Sequence, residues 1–127
     1  KTRSDIDVAS VERVVESFLK VHKQSGKEVS VVFIGDKLMR RLNREYRKID
    51  KVTDILTFEG EGDFFGEIII DYLQIVRQSR RFSESVEEEL VFILVHGLFH
   101  LLGYEDDTEK DREEMILMGR RFIEKHL

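Results

Sequence analysis

At 127 residues, 41% of them apolar and none of them cysteine, the chain fits one domain over residues 1–127 with a real core, and it excludes disulfides, thiolate metal sites and cysteine nucleophiles. Its longest apolar run, the 13 residues from Leu90 to Leu102, is shorter than the roughly 17–25 a membrane helix needs, and no N-terminal stretch reads as a signal peptide, so a soluble cytoplasmic protein is expected. Charged residues make up 37% and the net charge is −5, which on the sum alone disfavours nucleic acid and leaves the distribution of charge to decide.

Val8 to Gln24 places Val8, Val11, Val14, Val15, Phe18 and Leu19 on one helical stripe, with Gly26 to end the helix. Glu28 to Ile34 is rich in β-branched residues and predicts a strand. Asp36 is the expected cap of a helix carrying Leu38, Leu42 and Tyr46. This segment is basic: from Asp36 to Lys51 seven Lys and Arg face three acidic residues, suiting an anionic partner or else a solvated helix face. Asp54 to Glu59 and Phe64 to Ile70 read as two strands of a hairpin around Gly60 and Gly62. Asp71 can cap a helix from Tyr72 to Phe82, and Ser85 with Glu88 forms a capping box before the apolar Leu90–Leu102 segment. Gly103 stops that helix, and Thr108 starts a last one through Met115, Met118 and Phe122. The expected fold is α+β: a small mixed sheet of three or four strands among about five helices, with a central apolar helix bearing two histidines. Asn43 is the only asparagine in a chain dense in Glu, Lys and Arg, a hyperthermophile signature that predicts a high melting midpoint.

His96 and His100 stand four apart, so both imidazoles lie on one helical face and can converge on a single ion. A third ligand has to come from outside that turn. Gly103 permits the left-handed bend that returns the chain, which makes Asp106 the natural third donor, with Glu105 and Asp107 beside it as alternatives. Three protein ligands leave a fourth position free, the mark of a catalytic rather than a closed structural zinc site. Ordinary core histidines are the competing reading, because the H-x-x-x-H spacing alone is common. The residue after His96 is Gly97, where the zinc proteases place their general-base glutamate, so peptide hydrolysis by that mechanism is not expected.

At these residues the chain resembles the YbeY family of bacterial single-strand endoribonucleases. The family's H-G-x-L-H-L-x-G-Y-D-H corresponds to His96–Asp106, its N-x-x-Y-R to Asn43–Arg47, its P-T-[DN]-V-L-S-F to Val52–Phe58, and its L-G-D-[IL] to Phe65–Ile68. The likeness runs from about Leu42 to the C-terminus. Asp106 stands in place of the third family histidine; a carboxylate oxygen suits zinc, but hardens the donor set and adds negative charge. Val52 replaces the family proline.

The resemblance implies an enzyme with one zinc ion on His96, His100 and Asp106. It implies cleavage of single-stranded RNA in ribosomal RNA processing, including 3′ end maturation of small-subunit rRNA, and in ribosome quality control. The ribosome or a small-subunit ribosomal protein would then be a partner. The family's important arginine falls on Arg47, which could pair bidentately with a phosphodiester; an exposed helix-end arginine is the plain alternative. Thr53 and Asp54 would help line the cleft, with a turn residue at the strand start as the equal alternative for Asp54; Glu67 is a candidate general base, and His22 and His126 read as surface groups. Two rival functions stay open: a non-catalytic metal-binding ribosome-assembly factor, and a metallohydrolase of another substrate class.

Overall fold

A computed structural model describes residues 6–127 and holds the elements in the expected order. These are α1 (Val8–Val21), β1 (Glu28–Ile34), α2 (Asp36–Arg47), β2 (Ile55–Glu59), β3 (Phe64–Asp71), α3 (Tyr72–Arg81), α4 (Val86–Leu102) and α5 (Glu109–His126). Five helices around a three-stranded mixed sheet make the fold α+β. The strand order is β1-β3-β2, with β2 and β3 antiparallel as the hairpin required and β1 parallel to β3.

The pleat divides the sheet into two faces. On one, Ile68 and Ile70 are fully buried, and Val29, Val31, Phe33 and Ile55 pack with them against α1 and α4. The other face carries Glu67, which takes a 3.3 Å hydrogen bond from Ser30 Oγ on β1. At the centre runs α4, where Leu94, Val95 and Leu98 are at most 1% exposed. Replacing such a residue by alanine removes its transfer energy and leaves a cavity, costing about 2–5 kcal/mol.

Several helix ends form as their side chains dictate. Asp71 accepts from the amides of Leu73 and Gln74, and Thr108 Oγ1 accepts from Asp111. The Ser85–Glu88 capping box is closed in both directions at 3.0 Å.

Four expectations are corrected. The first helix ends at Val21, and Lys23, with φ 60°, is the first residue past the end to turn left-handed; Gly26, at φ 91°, does so only later in the loop. The cap of α2 is Gly35; Asp36 sits inside the first turn with its carboxylate held by both arms of Arg77 at 2.7 and 3.1 Å. The buried stripe of α2 is Met39 and Asn43, while Leu38 and Tyr46 are exposed. Lastly, β2 begins at Ile55, with Asp54 just outside it, accepting through its carbonyl from the amide of Asp71.

A candidate metal centre in a basic cleft

Two features of α4 aim its histidines. Gly97 lies where the helix presses on the sheet: a Cβ there would stand 2.6 Å from Ile55 Cδ1 and 3.3 Å from Thr57 Cγ2. That contact seats the helix on β2 and turns His96 and His100 along the strand's open edge. Position 97 itself points into packed side chains, so a glutamate there would enter the core rather than the cleft. At the other end, Gly103 takes φ 119°, a conformation side-chain-bearing residues rarely adopt, and the chain doubles back with Tyr104 N–H donating to Phe99 O at 3.1 Å. The same turn brings the Tyr104 carbonyl 3.0 Å from His100 Nδ1. A carbonyl only accepts, so Nδ1 carries the proton and Nε2 presents a lone pair, the arrangement by which backbone carbonyls orient metal-binding histidines.

The three expected donors meet. His96 Nε2 and His100 Nε2 are 3.2 Å apart, and each is 3.5 Å from Asp106 Oδ2. Donors arranged tetrahedrally at the ~2.0–2.1 Å of a zinc–nitrogen bond stand ~3.3 Å from one another, so the triangle already has the size of one zinc face. Among the described residues this is the group of side chains able to hold a metal ion. The His96 pKa is lowered, first by burial and then by the neighbouring His100, which keeps the ring neutral and its lone pair available. Glu105 and Asp107 do not join the triangle. Both are exposed, and they press on each other closely enough to raise the Glu105 pKa.

The triangle forms one wall of a cleft of about 650 Å³, within the range of small-ligand sites. Arg47, Thr53 and Asp54 line it, as expected. Arg47 is placed by α2 and the loop after it: Asn43 Nδ2 donates to Lys51 O at 2.9 Å, and Arg40 and Arg44 are engaged by Asp50 at 2.8 and 3.4 Å. Among the described residues no carboxylate lies in ion-pair range of Arg47. Asp54 accepts from Gln78 Nε2 at 3.3 Å, and the same amide donates to the buried Glu89 at 2.8 Å.

The cleft also holds residues the sequence reading passed over: Arg112 and Ile116 on α5, Phe92 on α4, and Tyr46 with Phe58. The four-residue step from Arg112 to Ile116, beside the buried Met115 and Gly119, was the available signal. Glu67 does not line the cleft: it sits on the central strand β3, one strand in from the cleft edge, and its carboxylate is held toward β1 by the Ser30 hydroxyl, while its partner Phe58 on β2 reaches the cleft. His22 is not a free surface group either: its ring lies 4.2 Å from Phe18 and 5.3 Å from Phe99. His126 is exposed, as expected.

The family model described as Endoribonuclease YbeY matches residues 1–126. A relative from Clostridioides difficile with that name is 39% identical over 98 residues, which cover 69% of this chain and 64% of the relative, just under two thirds of its length. Another from Desulforamulus reducens is 39% identical over 119 residues, covering 81% of this chain and 78% of its own. Among solved structures, the solution structure of a Thermotoga maritima protein is similar, with a TM-score of 0.63 at 30% identity, over 90% of this chain and 79% of that one. The helix bearing the two histidines, the returning aspartate and the arginine thus sit in a chain that, by these matches, belongs to the YbeY family of endoribonucleases.

Proposed function

We propose that this protein is a zinc-dependent endoribonuclease that cleaves single-stranded RNA in ribosomal RNA processing. The observation that carries the reading is the meeting, in one cleft, of a zinc-sized donor triangle and an arginine without an ion-pair partner among the described residues. His96, His100 and Asp106, which wall the cleft, would hold one zinc ion. When bound, zinc supplies Lewis acidity and makes hydroxide available near neutral pH.

The chain's own residues do the rest. Arg47 can pair with two oxygens of a phosphodiester and offset the charge that gathers there as a nucleophile adds. Arg112 faces the same cleft from α5 and adds a second positive charge. The basic surface of α2 tracks the flanking backbone, so affinity falls as salt rises. Asp54 sits beside this centre, but the family pattern accepts asparagine at its position, which suits a hydrogen-bonding role through Gln78 rather than proton acceptance. The ribosomal context, 3′ maturation of small-subunit rRNA and quality control, follows from the family alone, and the ribosome or a small-subunit ribosomal protein is the corresponding partner.

Incubation of the zinc-loaded protein with a single-stranded RNA tests the reading. Cleavage that is lost in both His96→Ala and Arg47→Ala, with folding intact, supports it. RNA that binds but is never cut by metal-loaded, nuclease-free protein would favour the assembly-factor role. Turnover of another substrate in place of RNA would favour a different metallohydrolase.

A further inference from the structure

Resting on the reading of the cleft as an RNA site, we propose that Tyr46 and Phe58 form a stacking platform for an unpaired nucleobase, next to the phosphate position at Arg47. Tyr46 continues the buried stripe of α2, three residues past Asn43 and seven past Met39, but it overshoots the sheet. Its ring meets Phe58 near the end of β2 edge-on, with centroids 5.2 Å apart and planes at 72°. The tyrosine ring is thereby anchored on one side while 61% of the residue stays exposed.

A largely exposed aromatic ring is poor use of apolar surface in a helix otherwise rich in charge. It is what a planar ligand needs. Both rings line the same cleft as His96, His100 and Arg47. Consecutive helical residues project about 100° apart, so Tyr46 and Arg47 flank the cleft mouth as a pair, one aromatic and one cationic. That pairing matches a nucleotide, whose base offers a π-face and whose phosphate offers charge.

The platform also selects the substrate. In a duplex the base faces are covered by their neighbours, whereas loops and single strands can splay a base onto an aromatic side chain. Stacking of this kind tolerates any base, because each has a π-face. The site should therefore prefer unpaired RNA with little base specificity.

The test is a cycle between protein and ligand, using the zinc-loaded protein and two oligomers of equal length: a single-stranded RNA, and the same ribose–phosphate chain with its bases removed. Binding is read by stopped-flow anisotropy before turnover. The intact protein should bind the RNA about ten-fold more tightly than the abasic chain. Tyr46→Ala and Tyr46→Leu should bind the two about equally, and Tyr46→Phe should restore the preference. Leucine keeps an apolar cover on Phe58, so an unchanged melting midpoint for Tyr46→Leu separates stacking from folding. If Tyr46→Leu weakens both oligomers by the same factor, or neither, the platform is refuted while salt-dependent binding of both keeps the RNA reading. If the intact protein binds neither oligomer, both proposals fall together.

Discussion

Gly97 and Ile55 meet where the histidine helix crosses the edge strand, so closely that a Cβ on the glycine would stand 2.6 Å from the isoleucine Cδ1. This contact sets how far His96 and His100 sit from β2 and hence the width of the cleft. Gly97→Ala gains up to about 1 kcal/mol of helix propensity but overpacks the contact at a cost of about 1–3 kcal/mol. A net loss of stability is expected, and it should be recovered in the double variant with Ile55→Val. Thermal melts of the four proteins check this. Gly97→Glu would bury a carboxylate without a partner and should fail to fold, rather than acquire protease activity.

Gly103 couples the backbone to the ligand. An alanine forced to φ 119° costs about 1–2 kcal/mol, and relaxing that strain pulls the Tyr104 carbonyl away from His100 Nδ1. Loss of an orienting partner of this kind lowers metal affinity about 10–100-fold. Zinc titration of Gly103→Ala in competition with a chelator should show that drop, with an accompanying fall in melting midpoint.

Arg47 is exposed and makes no ion pair among the described residues, so its removal should spare the fold. Cleavage by Arg47→Ala should fall about 10²–10³-fold, the usual loss when one donor to a developing negative charge is deleted. Arg47→Lys should recover only part of it, since an ammonium cannot bridge two oxygens. Single-turnover rates at saturating RNA, with metal content and melting measured in parallel, decide the point.

Two buried carboxyls make stability fall as pH rises, against the smaller opposite pull of the single His96, whose lowered pKa adds stability as pH rises toward the ordinary histidine value. Burial pushes the Glu89 pKa up to about 7, and burial together with the nearby Asp36 pushes Asp71 up to about 7. Each binds a proton more readily folded than unfolded. Their contribution is therefore complete below the ordinary carboxyl pKa and is lost as pH rises toward 7, with a slope of up to about 1.4 kcal/mol per pH unit for each group. Urea midpoints should fall between pH 5 and 8. In Glu89→Gln, where the amide can still accept from Gln78, the fall should be at most half as steep, because Asp71 remains and His96 opposes it; an unchanged slope would contradict the assignment.

The site was legible because its logic is local. A four-residue histidine spacing, a helix-stopping glycine and a carboxylate three residues further on are all fixed by helix geometry, and the structure brings those side chains within 3.5 Å of one another. The capping residues Asp71, Ser85 and Thr108 act within three residues of themselves and were equally readable. What escaped depends on distant segments. The parallel pairing of β1 with β3 spans α2 and β2, and nothing within β1 encodes it. The orientation of α2 rests on Met39 and the single asparagine, which bury against the sheet in place of the more apolar-looking Leu38 and Tyr46. Arg112 and Phe58 enter the cleft from elements whose placement only the assembled core decides. One error was avoidable: His22 stands one helical turn after Phe18 on the same stripe.

Zinc titration followed by calorimetry, on the intact chain and on His100→Ala, probes the centre of the account most directly. The donor triangle predicts one zinc per chain for the intact protein and at least a hundred-fold weaker binding once the His100 imidazole is gone, with the helix still folded. Equal zinc binding by both proteins, or none by either, would contradict it.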